Sequence, residues 1–518
     1  MALDDAQIWK LTQEKISEEE AEFRRTKSDI PNLDVIKQLH RQEDGDANLF
    51  VKLFKDRFVF DHATKTWFQW GCHHWLADRT EEALVAIDQV VALYDREAQQ
   101  AEWRARQEAK ASNNEGQAKA EQLRKTLLGR ISALQHIQRK KHVLDLAAAG
   151  RERLALSGEE WDSNPWLLGV ANGVIDLREG KLYPGNTSDY IKTASPTMWE
   201  GIDAPCPTWR RFLVEIFKGD EELISYLQRL LGYSITGITT EHVFPILWGE
   251  GRNGKGTLLE TLAHVLGPLA GPVKAELLLV QDRSRNSAAP DSDIMALRGR
   301  RLAWASETGE GRKLDIGKVK WLTGGDTLVG RAPHAKHEVT FKATHHLFLL
   351  TNHKPKADPS EFALWERVVL MPFELRYRAA GEELERENDR SADPDLPKKL
   401  QAENSGILAW LAQGCLDWQK YGLRKCSTVK AATREYRASE DVLAEFISSE
   451  CYQGPQASVR AGAFYKGYEQ WCQRTGAEKL SLSKVGAYVK TRFHAQQEGG
   501  GYWVYKSIGL LKQEEYSL

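Results

Sequence analysis

No stretch of this sequence approaches the ~18 consecutive apolar residues of a membrane-spanning helix. The N-terminal segment from Met1 to Lys15 carries early acids and no apolar run of the kind found in a secretory leader. A cytoplasmic, non-membrane protein is therefore expected. Cysteine is scarce and scattered. Cys72, Cys206, Cys415, Cys426, Cys451 and Cys472 include no CxxC pair, which argues against both a zinc ribbon and a disulfide framework. Cys72-His73-His74 are adjacent, point in different directions and have no second ligand pair nearby, so no metal site is expected there. A dominant charge sign is missing too. With 71 basic and 73 acidic residues the net charge is −2, so any nucleic-acid binding has to come from local patches.

What is present is an ordinary globular composition, 42% hydrophobic and 28% charged, at a length with room for three or four domains. Phe58-Val59-Phe60 and Thr66-Trp67-Phe68, separated by Asp61-His62-Ala63, predict a hairpin. From Glu81 to Leu156 the pattern is helical, with a break at Ser112–Gly116. Short strands around Asn172-Gly173 follow. Asp220–Tyr233 has the apolar spacing of an amphipathic helix with acids at its start. Ala379–Pro397 is charged, carries two prolines and predicts a surface excursion. The expected division is an extension at 1–45, a helical and β domain at 46–235, a core domain at 236–378, a linker and helical region at 379–440, and a C-terminal domain at 441–518.

Pro245–Trp248 is an apolar strand, Gly249-Glu-Gly-Arg-Asn-Gly-Lys-Gly-Thr257 is a glycine-rich loop, and Leu258–Leu266 is a helix. That order turns a Walker A match into a mechanism. The glycines let backbone N–H groups converge on phosphates, and the helix N-terminus adds positive potential. Gly249, Gly251, Asn253, Gly254, Lys255, Gly256 and Thr257 form the expected ATP cradle, with Lys255 on the β and γ phosphates. The usual hydroxyl position holds Gly256, so Thr257, one residue later, is the candidate Mg²⁺ ligand from the loop.

Arg301–Glu307 is a strand ending in a carboxylate, which makes Glu307 the candidate catalytic base and second Mg²⁺ ligand. His346–Asn352 is a buried strand ending in an amide, suited to orient water or sense the γ-phosphate. Arg367 precedes the strand Val368–Phe373 and can act as a finger on a neighbouring subunit's nucleotide.

Together with Lys320-Trp-Leu-Thr-Gly-Gly-Asp326 and Arg331, these motifs occur in the order and spacing of superfamily 3 helicases. The sequence resembles the phage and plasmid primase-helicase family, to which poxvirus-type primase-helicases are related. Trp166–Leu177 and Cys206–Tyr233 are similar to that family's region preceding the helicase. The resemblance implies an α/β fold with an AAA+-like P-loop core, a mainly helical N-terminal domain and a C-terminal winged helix. It also implies a homo-hexameric ring with ATP at subunit interfaces and 3′ to 5′ movement on single-stranded DNA, in replication of a phage, plasmid or mobile element. Lys255 and Thr257 then serve phosphate and magnesium, Glu307 hydrolysis, Asn352 sensing and Arg367 the finger, while Lys320 and Arg331 serve the subunit interface or DNA. Ser306 stands where many such ATPases carry a second acid. The roughly 45 residues before the resemblance are too few for a primase fold, so a separate primase or polymerase partner is expected. The alternatives are a nucleotide-switched DNA-binding initiator or regulator and a conflict-system NTPase without processive unwinding.

Two DNA contacts are expected. The turn-prone stretch between Arg331 and Phe341 predicts a hairpin with Lys336 and His337 near its tip, and in such rings the corresponding hairpin projects into the central channel. Residues 456–507 hold eight Lys or Arg against three acids, about +5 locally. There, three helices and a Gly-rich hairpin are similar to the winged helix that ends such helicases. The segment from Ser481 to Phe493 is its expected recognition helix, with Lys484, Lys490 and Arg492 toward DNA, although such a module also serves protein partners.

Overall fold

The computed structural model describes residues 34–150, 152–281, 291–306, 309–331, 338–379, 381–498 and 501–511. Glu307, Lys336 and His337 lie outside them. No helix among the described residues is long and apolar enough to cross a membrane.

The N-terminal unit contains α1 (Val35–His40), α2 (Gln42–Phe54), strands β1 (Phe58–Asp61), β2 (Thr66–Trp70) and β3 (Trp75–Ala77), helices α3 (Glu82–Lys110), α4 (Asn114–Leu134) and α5 (Ile137–Ala147), and the short strand β4 (Ala155–Leu156). The expected hairpin is the β1–β2 pair, with Phe60 opposite Trp67, in a sheet ordered β3-β2-β1-β4. The break between α3 and α4 falls at Ser112, which has φ +54°, and the Asn113 side chain then caps α4 by accepting from Gly116 N at 3.0 Å. Asp46, fully buried, is the polar centre of this unit. Its carboxylate accepts from Arg130 Nη1, Arg139 Nη2 and Tyr94 Oη, each at 2.7 Å. Three donors on one carboxylate are what burial of a charge demands.

Strands β5 (Leu167–Val170), β6 (Gly173–Asp176) and β7 (Lys181–Tyr183) form a meander. It is followed by α6 (Pro207–Ile216) and α7 (Glu221–Ser234), the latter capped by Asp220, whose carboxylate accepts from Leu223 N at 2.9 Å. Next come β8 (Phe244–Trp248), α8 (Lys255–Leu266), β9 (Ala270–Val273), β10 (Leu302–Ser306), α9 (Ile316–Thr323), β11 (Thr327–Gly330), β12 (Val339–Lys342), β13 (His346–Thr351) and β14 (Val368–Pro372). Five of these strands build one parallel sheet in the order β14-β8-β13-β10-β9. Its strands read as near-continuous apolar runs because both faces are covered. After β15 (Arg376–Arg378) and β16 (Asp389–Ser391) come α10 (Asn404–Tyr421) and α11 (Ser427–Ser439).

The cores divide the chain differently from the expected boundaries at 235 and 378. One apolar cluster runs from Leu168 to Val429 and joins the meander, α6, α7, α8, the parallel sheet and α10. The joint is tight: a Cβ added to Gly232 would sit 2.1 Å from Cys415 N, and one on Gly414 would sit 2.1 Å from Gln228 O. Helices α7 and α10 therefore meet backbone to backbone.

Residues 441–511 have a separate core. The sequence predicts three helices and then a hairpin. The structure inserts a strand, giving α12 (Val442–Glu450), β17 (Cys451–Arg460), α13 (Ala461–Thr475), α14 (Leu482–Arg492), β18 (Ala495–Gln497) and β19 (Trp503–Leu510), with a sheet ordered β17-β19-β18. Strand β17 escaped notice because Gly454-Pro455 and a register shift between Gln453 and Ser458 break its period of two.

His345 and His346 precede and open β13, 1% and 6% exposed, and burial pushes their imidazoles down to about 4 and about 3. Both are neutral in the folded protein near pH 6, whereas an unfolded imidazole takes up a proton near pH 6.5. Their contribution is therefore complete above about pH 6.5 and is lost as the pH falls toward 4, by up to about 1.4 kcal/mol per pH unit for each histidine. Denaturant melts between pH 7.5 and 5 should show this slope, and His346→Gln should remove close to one proton from it. A pH-independent midpoint across that window would contradict the assignment.

Candidate nucleotide site

Parallel strands carry their C-terminal ends to one edge, and in such sheets the crevice at that edge is the place for a ligand. Strand β8 ends there at Trp248 and passes into the loop Gly249–Gly254, from which α8 begins at Lys255. Glycine is required twice. A Cβ on Gly249 would meet Phe373 O at 2.1 Å, and Gly254 has φ +92° with Ile216 Cγ2 2.9 Å from its Cβ position. Gly251 and Gly256 are the reverse case. A Cβ on Gly251 would have nothing within 4 Å, and one on Gly256 would meet only Glu260 Oε1 at 4.0 Å, so the outer wall of the loop is open while its inner wall is packed. Arg252 has φ +59°, a left-handed step that lets the loop turn back on itself.

Lys255 is 6% exposed, and its Nζ donates to Gly249 O at 2.5 Å, Asn253 Oδ1 at 3.1 Å and Asn352 Oδ1 at 3.2 Å. Burial pushes its ammonium down to about 8, because a charge withdrawn from water is destabilised relative to its neutral form. Asn253 Nδ2 in turn donates to Phe373 O at 3.1 Å. Asn352 reaches the lysine because β13 lies beside β8, with Thr351 paired to Trp248. Thr257 is half-buried in the first turn of α8, and Ser306 ends β10, paired to Leu350. The structure thus brings the expected loop residues and Asn352 together. It leaves Glu307 undescribed, the residue next after β10.

Arg367 lies at the other edge. Val368 pairs with Phe244 at the start of β8, so five strand residues at about 3.3 Å each separate Arg367 from its own loop by roughly 16 Å. Its Nη1 donates to Ala363 O at 2.8 Å, and its buried Nε has no partner among the described residues. Lys320 on α9 is paired to Glu361 at 3.1 Å. Arg331 follows β11, and its carbonyl accepts from Asp291 N at 3.0 Å. Strands β11 and β12 pair antiparallel, Gly330 opposite Val339.

Sequence reasoning missed the cover of the loop. Tyr377 N donates to Arg252 O at 2.6 Å, and Arg386 sits 3.3 Å from Glu250. The segment from Tyr377 into the charged excursion is therefore partly a flap against the glycine loop, held by one backbone bond, which leaves no trace in side-chain pattern, and one exposed ion pair. Lys354 was missed too, lying 4.2 Å over the Trp248 ring. Among the described residues no group of three or more His, Cys, Asp or Glu is placed to hold a metal ion.

A cavity of about 490 Å³ lies away from this loop, between residues 356–360 after β13 and the C-terminal module. Helix α14 lines it with Lys484, Tyr488 and Arg492, residues four apart on one face. Lys484 faces Asp358 at 3.7 Å, while Arg492 sits 3.3 Å from Asp441 and over the Tyr488 ring at 3.6 Å. These two expected DNA contacts are thus turned toward acids. Lys490 instead lies 3.9 Å over the Trp503 ring.

Residues 47–218 match the family described as D5 N terminal like. "Putative helicase L207/L206" of Acanthamoeba polyphaga mimivirus is 31% identical over 344 residues, 64% of this chain and 35% of that protein. "Putative primase C962R" of African swine fever virus (isolate Tick/Malawi/Lil 20-1/1983) is 22% identical over 325 residues, 60% of this chain and 33% of that protein. The chain thus spans about a third of the length of these relatives. Among solved structures, the apo NrS-1 C-terminal region (305–718) is similar at 13% identity and a TM-score of 0.42, covering 71% of this chain and 89% of that one.

Proposed function

Because this chain belongs to the D5-like primase-helicases, we propose that it is an ATP-dependent DNA helicase, a homo-hexameric ring moving 3′ to 5′ on single-stranded DNA. The observation that carries the reading is the bond from Lys255 to Asn352 across adjacent parallel strands. It joins a phosphate-binding lysine to a polar strand-end side chain, as a nucleotide motor needs. The strand order supports an AAA+-like core, and the helix, strand, helix, helix and two-strand order of residues 441–511 supports a winged helix.

In this reading the N–H groups of the loop and the start of α8 receive the β and γ phosphates of ATP, and Lys255 supplies the balancing charge. The open Cβ positions at Gly251 and Gly256 fit a ligand lying against that wall. Mg²⁺, held by Thr257 and Glu307, supplies charge neutralisation on the phosphates when bound. Glu307 takes the proton of the attacking water, and Asn352 orients that water. Arg367, on the wrong edge for its own loop, acts on a neighbour's nucleotide, which makes a ring the working form. Lys336 and His337 grip the DNA backbone, with Lys320 and Arg331 at the subunit interface or on DNA.

The test is whether single-stranded DNA stimulates ATP hydrolysis and whether a forked duplex is unwound. Arg367→Ala should lose hydrolysis while keeping nucleotide affinity within a few fold. Mixing it with Lys255→Ala subunits should partly restore turnover, since a mixed ring offers some interfaces with an intact lysine and an intact arginine. No rescue on mixing removes action in trans, and hydrolysis that ignores DNA favours a nucleotide-switched regulator.

A further inference from the structure

The C-terminal module has eight described cations: Arg460, Lys466, Arg474, Lys479, Lys484, Lys490, Arg492 and Lys506. Five are paired with acids: Arg474 with Glu450, Lys479 with Glu469, Lys484 with Asp358, Arg492 with Asp441 and Lys506 with Glu498. Among the described residues, Arg460, Lys466 and Lys490 have no such ion pair. Two of these three lie over aromatic rings that are themselves exposed. Arg460 is 4.4 Å from the centre of the Tyr502 ring and Lys490 is 3.9 Å from that of Trp503, with the rings 37% and 41% exposed.

Trp503 opens β19 and is paired to Gln497 of β18, and Tyr502 immediately precedes it. Each of the two neighbouring rings therefore has its own cation beside it. An isolated exposed aromatic is common, but two neighbouring ones, each beside a cation without an acid partner, are a different matter. Of the three cations expected in a DNA groove, Lys484, Lys490 and Arg492, the first and last instead line the cavity against Asp358 and Asp441. A groove-reading role for α14 would require breaking those pairs.

We propose that Arg460, Lys490, Tyr502 and Trp503 form a binding site for single-stranded nucleic acid, with unpaired bases stacked on the two rings and backbone phosphates on the two cations. The chemistry matches the ligand: every base has a π-face, and two cations without an acid partner can meet backbone phosphates without reading sequence. The site deepens the proposed function and rests on it only for the expectation that DNA is the partner, since binding here needs no hydrolysis.

The experiment is fluorescence anisotropy of a labelled oligothymidine against the full chain carrying Lys255→Ala, without nucleotide. Tyr502→Ala with Trp503→Ala should weaken binding roughly tenfold or more, as loss of a stacked base does, and Tyr502→Phe with Trp503→Phe should retain most of it. Arg460→Ala with Lys490→Ala should flatten the slope of log affinity against log salt by about 1.4, two phosphate contacts' worth. Lys484→Ala with Arg492→Ala should stay within twofold. Unchanged affinity in the Tyr502/Trp503 variant, equal loss on blunt duplex, or a larger loss from the Lys484/Arg492 variant overturns the site, as does a parent chain that does not bind the oligonucleotide. Should hydrolysis ignore DNA while oligothymidine binding still depends on Tyr502 and Trp503, the motor reading fails and this site stands.

Discussion

Lys255→Ala is expected to reduce ATP hydrolysis at least several hundred-fold, the scale on which a single preorganised donor to a developing charge acts. The geometry makes the lysine hard to replace. Its Nζ is already buried among Gly249 O, Asn253 Oδ1 and Asn352 Oδ1, so it is positioned before any nucleotide arrives. Glu307→Gln is the companion variant. It keeps the shape and the polar end but cannot accept a proton, so nucleotide binding should survive while turnover stalls. Steady-state phosphate release and nucleotide affinity, measured on both variants, separate the two roles. Near-normal turnover by either one would remove that residue from the site.

Asp46→Ala should cost about 3–5 kcal/mol of stability in the N-terminal unit, because it removes the buried counter-charge of Arg130 and Arg139 and leaves Arg130 only neutral acceptors on Leu39 and Gln42. Arg130 and Asp46 are 7% and 0% exposed at the side chain, and Arg139 is 18% exposed. Tyr94 would lose its acceptor as well. Asp46→Asn should be milder, since the amide oxygen still accepts two of the bonds. Chemical denaturation followed by far-ultraviolet circular dichroism gives the difference, and a loss below about 1 kcal/mol would mean that the arginines find other acceptors.

Much of the local architecture was legible because it is written in short-range signals. The glycine loop between an apolar strand and a helix, the Asn113 break and the Asp220 cap all depend on residues within a few positions of one another. The meeting of Asn352 with Lys255 is non-local, yet it follows from two apolar strands that end in polar residues. Other features were not legible. Strand β17 is interrupted by Gly454-Pro455 and bulged, so its alternation fails. The flap over the loop is made by backbone groups of Tyr377 and Arg252, which any sequence could supply. The orientation of α14 could not be read from its cations, because Lys484 finds its partner at Asp358, more than a hundred residues earlier. The apolar cluster that spans position 235 was not legible either, because its leucines, Leu227, Leu230 and Leu231 among them, serve α10 as much as their own segment.

The backbone contact of α7 with α10 also constrains how force can travel. Two helices whose glycines leave no room for even a methyl group cannot slide past one another as leucine-packed helices can. They behave as one strut that clamps the segments before and after the parallel sheet. Any movement of the C-terminal module against the parallel-sheet region must then be taken up elsewhere, and the cavity beside Asp358 and Asp441 is where the packing leaves it space.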